Sequence, residues 1–207
     1  MAETIYEIPI RDAFAGDGCP FCNLHSDAEA KSLEYILGGA VMEPRVRAET
    51  SRLGFCGEHL EKLLNMKNRL ALALALESRI SEILNGNAPA QSSCFICERV
   101  SAFEKAYVEN TVHMWKTDPE FARVLRTRGD LCLHHAGAII SADKSLRGSK
   151  RRSLETDILS GISPSLCDLL TDLRGFIKSF DHRFSGKPLS EAERTALERA
   201  TEILGRR

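Results

Sequence analysis

Long apolar runs, an excess of charge of either sign and the familiar phosphate-binding or nucleophile motifs are all missing from this 207-residue chain. Its longest apolar stretch, Leu70 to Leu76, falls far short of the roughly 20 residues needed to span a bilayer. A net charge of −1, from 28 basic and 29 acidic side chains, gives no general attraction to nucleic acid or to an anionic membrane. The opening residues, Met1-Ala2-Glu3-Thr4-Ile5-Tyr6-Glu7, carry neither the basic stretch nor the apolar run of a secretory signal, so a cytoplasmic location is the expectation. There is no Gly-rich phosphate loop, no His-Glu-x-x-His helix and no Gly-x-Ser-x-Gly elbow, and the common enzyme templates go with them. The one basic cluster, Lys144, Arg147, Lys150, Arg151 and Arg152, has no interleaved aromatic residues to stack on bases and reads as a solvated loop.

What the chain does have is cysteine in a pattern that occurs twice. Cys19-Pro20-Phe21-Cys22 is followed, after 33 intervening residues, by Cys56-Gly57-Glu58-His59; Cys94-Phe95-Ile96-Cys97 is followed, after 34, by Cys132-Leu133-His134-His135. The Cys-x-x-Cys pairs are offset by 75 residues and the Cys-x-x-His pairs by 76. Each half therefore supplies three thiolates and one imidazole, the ligand set of a closed tetrahedral zinc site. Reduced cytosolic surroundings favour metal ligation over structural disulfides for such pairs. Each Cys-x-x-Cys leads into a helix, whose positive N-terminus lowers the thiol pKa and favours the metal-binding thiolate. Two Zn²⁺ per chain are expected, with an iron–sulfur cluster as the alternative. Whether the ligands close within each half or across the halves is left open by the spacing.

The repeat also selects the histidines. His25 has Val100 as its counterpart and His134 has Glu58, whereas His59 and His135 match each other. His25, His113, His134 and His182 are then surface or packing residues. Cys167, beside Leu166, Leu169 and Leu170, reads as a core cysteine, and Asp181-His182-Arg183 as a surface group without a nucleophile to serve.

Helical periodicity dominates the rest, and an all-α fold is expected. Helices are read at 23–38, ending at Gly38-Gly39; from Glu43-Pro44 to about 52; and over 58–85, where Leu72, Leu76, Ile80 and Ile83 form a stripe. The second half continues with a helix from Cys97 to about Trp115 and a short one from Asp118-Pro119. Beyond it lie helices near 134–142, 151–160 and 164–181, and one over 190–204 opened by the capping box Ser190-x-x-Glu193. Asn85-Gly86-Asn87-Ala88-Pro89 marks a module boundary. The expected organisation is a first metal-binding module over 1–87, a second over 88–145 and a C-terminal helical extension over 146–207, packed on the modules.

These motifs resemble a family of uncharacterised bacterial and archaeal proteins known only as a domain of unknown function. The resemblance rests on Cys19-Pro20-Phe21-Cys22, Gly54-Phe55-Cys56-Gly57-Glu58-His59, Cys94-Phe95-Ile96-Cys97, Thr117-Asp118-Pro119-Glu120-Phe121, Leu131-Cys132-Leu133-His134-His135 and Phe180-Asp181-His182-Arg183-Phe184, and covers almost the whole chain. Asp130 departs from the internal symmetry, standing where the first half has Gly54. The resemblance implies a metal-binding helical protein and no particular reaction.

Three functions fit these residues. One is a zinc-stabilised scaffold or adaptor acting on a protein partner through its helical surfaces. Another is a thiol-based redox or metal sensor that ejects zinc on oxidation. The third is an enzyme with a cleft between the halves, lined by His182, Asp181 or Glu34. Four protein ligands per metal leave no open position for substrate, so the enzyme carries least weight and no catalytic residue is assigned. Neither nucleic acid nor membrane is an expected partner, and the oligomeric state is not readable from the chain.

Overall fold

The computed structural model describes residues 5–87, 93–142, 146–181, 183 and 188–205. Its helices are α1 (Glu7–Ala15), α2 (Pro20–Leu37), α3 (Pro44–Leu53), α4 (Gly57–Asn65), α5 (Arg69–Leu84), α6 (Phe95–Thr117), α7 (Pro119–Thr127), α8 (Leu133–Ala142), α9 (Gly148–Lys178), α10 (Glu191–Arg194) and α11 (Ala196–Gly205). A 3-10 turn spans Ala40–Met42, and no strand occurs among the described residues. The all-α expectation stands. None of these helices is long and apolar enough to cross a membrane.

The chain packs as two compact units, one of Met1–Asn23 with Ala106–Arg207, the other of Leu24–Lys105. The ranges 1–87, 88–145 and 146–207 follow the repeat along the chain, whereas compactness groups the residues differently.

The unit of Leu24–Lys105 is built where α3 packs on α5, with the 3-10 turn against both and α4 against α5. Its core gathers Leu33, Ile36, Val41, Leu53, Leu63, Leu72, Phe95 and Ile96. The α5 face that is buried runs through Ala71, Leu72, Ala75 and Arg79, and Ile80 of the expected stripe is 56% exposed. Small alanines at that face let the helices approach closely, which an alternating Leu/Ala pattern does not announce. Arg79 then reaches back to donate to the carbonyls of Ser51 (2.6 Å) and Arg52 (2.9 Å), satisfying the C-terminus of α3.

The single helix expected over 58–85 is two, α4 and α5. Asn68 makes the break: its side chain accepts from the Ala71 amide (3.2 Å) as an N-cap, and its Nδ2 donates to the Leu37 carbonyl (2.6 Å) at the end of α2. After α2 the chain reverses through Gly39, whose φ of 116° favours glycine.

In the other unit α9 is the axis, packed by α7, α10 and α11, with α8 against α9 and α11. The two helices expected at 151–160 and 164–181 are this one helix, with Pro164 inside it. Pro164 is exposed, so water can reach the carbonyl its missing N–H would have bonded. The buried face of α9 runs through Leu154, Asp157, Ile158, Gly161, Ile162 and Leu169. Cys167 lies off that face and is exposed, which corrects its reading as a core residue. Asp157 is held by Trp115 Nε1 (3.0 Å) and by Arg126 through Nε (2.8 Å) and an Nη (3.2 Å). Asp118 caps α7, accepting from the Glu120 and Phe121 amides, and pairs with Arg11 of α1 at 2.6 Å. Helix α1 is absent from the sequence reading. It buries Ile10 and Phe14, and the Phe14 ring meets Phe21 and Phe121 edge-on. The capping box at Ser190 and Glu193 is present in full, but the expected helix over 190–204 bends at Thr195 into α10 and α11.

Candidate metal centres

All four cysteine motifs adopt one local geometry. Cys19, Cys56, Cys94 and Cys132 each stand immediately before a helix, and their carbonyls accept the first helical bonds, from Asn23, Leu60, Glu98 and Ala136. Cys22, His59, Cys97 and His135 are the third residues of α2, α4, α6 and α8. An N-cap side chain and that of the third helical residue meet over the helix end, as in a capping box. The spacing Cys-x-x-Cys or Cys-x-x-His therefore brings two donors together using nothing but a helix start. Unpaired N–H groups and the helix dipole there stabilise negative sulfur.

The structure joins these half-sites into two groups. Cys19, Cys22, Cys132 and His135 form one; Cys56, His59, Cys94 and Cys97 form the other, and within each group the ligand atoms all lie within 4.8 Å of one another. Each group could hold a metal ion. The question left open by the spacing is answered by exchange: the Cys-x-x-Cys of one half joins the Cys-x-x-His of the other, and each complete group lies within one compact unit.

The distances suit a tetrahedron. Zinc bonds of about 2.3 Å to sulfur and about 2.0–2.1 Å to nitrogen give edges of about 3.8 Å between sulfurs and about 3.6 Å from sulfur to nitrogen. In the first group, His135 Nδ1 lies 3.5, 3.6 and 3.1 Å from the sulfurs of Cys19, Cys22 and Cys132, and Cys22 to Cys132 is 3.9 Å. In the second, His59 Nδ1 lies 3.0, 3.4 and 3.4 Å from those of Cys56, Cys94 and Cys97, and Cys56 to Cys97 is 4.0 Å.

Crowding sets the thiols against one another. In the first group Cys132 bonding pulls the Cys19 thiol down to about 3, burial opposing and His135 assisting, while the Cys132 thiol is driven up by its bond with Cys19 and by burial. In the second, burial and then the crowding of Cys94 and Cys56 push Cys97 up to about 12, whereas Cys56, despite burial, is drawn to about 7 by bonds from His59 and Cys94. A divalent cation among the sulfurs removes that conflict by favouring every thiolate at once.

Residues other than the eight donors hold them in place, and sequence reading missed two of these, Glu29 and Arg128. Glu29 Oε1 accepts from His59 Nε2 at 2.9 Å and from Lys62 Nζ at 2.7 Å. That bond leaves Nδ1 of a neutral imidazole with its lone pair toward the sulfurs, the arrangement a metal-binding histidine needs. Arg128 fastens the loop before Cys19, donating to the carbonyls of Phe14 (2.9 Å), Gly16 (2.5 Å) and Gly18 (2.9 Å), and pairs with Asp130 at 2.5 Å. At the position matching Asp130, Gly54 does a similar job with backbone alone: its φ is 70° and its carbonyl accepts from the Phe95 amide at 2.9 Å. Phe21 stacks on the His135 ring (centroids 5.4 Å apart, 25° between planes). Both ligand-type histidines are 5% exposed.

The remaining candidates belong to neither four-donor group, although the His134 ring lies edge-on to that of His135 with centroids 5.0 Å apart. His113 and His134 are exposed, His25 is half-buried with Nδ1 3.5 Å from Glu104, and His182 lies outside the described residues. Arg147, Lys150, Arg151 and Arg152 are exposed about the start of α9, and Lys144 lies outside the described residues. Asp181 pairs with Arg183 at 2.6 Å.

Fold and donors together define a class: an all-α protein with duplicated halves and two Cys₃His groups, each drawing on both halves. The chain belongs to the Family of unknown function (DUF6062), whose model matches residues 1–90 and again residues 79–207. No curated protein and no solved structure matches it.

Proposed function

We propose that the protein is a zinc-binding helical scaffold or adaptor that acts through protein interaction, with Zn²⁺ held by Cys19, Cys22, Cys132 and His135 and again by Cys56, His59, Cys94 and Cys97. The observation that carries this reading is the pair of four-donor groups at tetrahedral spacing. Four protein donors fill the coordination sphere, the habit of structural rather than catalytic zinc. Each ion would tie two helix starts together and contribute on the order of several kcal/mol to folding. Reduced cytoplasm suits thiolate ligands. Support for a protein partner comes from apolar side chains left in solvent: Leu170 and Ile177 on α9, and Leu197 and Leu204 on α11, each pair seven residues apart and so on one helix face. Elemental analysis and an absorption spectrum of freshly purified protein test the metal. The expected sample is colourless with two zinc per chain, and complete chelation lowers its melting temperature sharply. A brown, iron-containing sample, or a melt unmoved by full removal of metal, overturns the reading.

A further inference from the structure

The two groups offer the same donors in unequal surroundings. Cys132 is 1% exposed, Cys19 and Cys22 are half-buried, and Phe21 lies flat against His135 while Arg128 pins the loop that delivers Cys19. In the other group Cys94 is buried and Cys56 half-buried, but Cys97 is exposed, alone among the eight donors. Its sulfur stands 4.0 Å from that of Cys56 and within 4.8 Å of that of Cys94. Here the His59 imidazole is the anchored donor, fixed from behind by Glu29, and Cys97 is the donor residue most open to solvent.

We propose that the Cys56, His59, Cys94 and Cys97 centre is the peroxide-reactive and exchangeable one, entered at Cys97, while the Cys19, Cys22, Cys132 and His135 centre is the lasting structural one. The inference rests on the reading of both groups as zinc centres. Hydrogen peroxide is the co-reactant. The Cys97 thiolate attacks one peroxide oxygen, the O–O bond breaks, and Cys97 becomes a sulfenic acid as hydroxide departs. The thiolate of Cys56 or Cys94 then attacks the Cys97 sulfur, forming the S–S bond and expelling a second hydroxide. Two thiolates have lost two electrons and peroxide has gained them. A disulfide is a neutral, poor ligand, so Zn²⁺ leaves as the hydrated ion; a dithiol or phosphine reductant restores the site.

The test uses the full chain carrying two zinc, in a Cys167→Ser background because exposed Cys167 lies outside both groups and would react on its own. Peroxide is added in small excess, zinc stoichiometry is followed by native mass spectrometry, and surviving thiols are alkylated and mapped. One zinc is expected to leave at least about tenfold faster than the other, about 1.4 kcal/mol in barrier. At the one-zinc stage Cys97 is in a disulfide with Cys56 or Cys94, and Cys19, Cys22 and Cys132 still alkylate once unfolded. Reduction with added zinc returns the second ion. Release of both ions at one rate, first oxidation at Cys19, Cys22 or Cys132, or no release overturns the inference and leaves the zinc reading standing. A purified chain without zinc in either group overturns the zinc reading itself.

Discussion

At Glu29 one carboxylate oxygen serves two donors, His59 Nε2 and Lys62 Nζ, and so couples a charged surface pair to the orientation of a ligand-type imidazole. Partners of this kind typically tune metal affinity by about 10–100-fold. Glu29→Ala is expected to weaken zinc at the Cys56–His59–Cys94–Cys97 group by at least about tenfold in competition with a chromophoric chelator, with Glu29→Gln in between and the other group unchanged. Asp157 carries a different kind of information. Burial pushes its carboxyl up, but bonds from Arg126 and Trp115 outweigh that and hold it below the usual carboxylate range. Its stabilisation is therefore present above the unfolded value of about 3.9 and fades as pH drops through the lower folded one. Asp157→Asn is expected to cost about 1.5–3 kcal/mol at pH 6, toward the lower end because Arg126 is 54% exposed. The difference in melting temperature from the parent chain should close below about pH 4, and a difference that widens on acidification would contradict the assignment.

Among the elements, helix starts were readable and helix partners were not. Pro44, Asp118-Pro119 and Ser190-x-x-Glu193 open helices as their chemistry dictates, because a cap is a local event. The break at Asn68 and the continuity of α9 through Pro164 depend instead on what lies alongside: the end of α2 in one case, a solvated outer face in the other. Gly161 shows the same dependence. A β-carbon there would sit 2.5 Å from the Arg128 carbonyl oxygen and 3.1 Å from that of Arg126, so glycine lets α9 lie against the end of α7. Gly161→Ala should destabilise by about 1–3 kcal/mol. Gly137→Ala, at an exposed position of α8 with nothing within 4 Å, should stabilise by about 0.5–1 kcal/mol. Thermal melts of the two variants shifting in opposite directions would bear this out.

For the molecule as a whole, the exchange of half-sites separates what repeats in sequence from what packs together. A fragment of residues 24–105 contains Cys56, His59, Cys94 and Cys97 and a compact unit around them. It is expected to bind one zinc and melt cooperatively. Residues 1–87, a sequence repeat by itself, hold Cys19 and Cys22 from one group and Cys56 and His59 from the other. That fragment is expected to lack a cooperative melt. Circular dichroism melts with metal analysis decide, and the reverse pattern would show that the repeat, not the compact unit, is the folding body.

Local sequence determined the half-sites, because three-residue spacing across a helix start places two donors together whatever surrounds it. It determined the donor types, the helical class and most caps for the same reason. Only the tertiary structure decided which half-site meets which. Both pairings offer identical chemistry, and loop closure distinguishes them weakly: 33 residues separate Cys22 from Cys56 against 109 between Cys22 and Cys132, about 1 kcal/mol in favour of closing within the half. Burying Cys94, Phe95 and Ile96 at the start of α6 against Leu53 and Leu63 outweighs that difference, and carries Cys94 and Cys97 to Cys56 and His59.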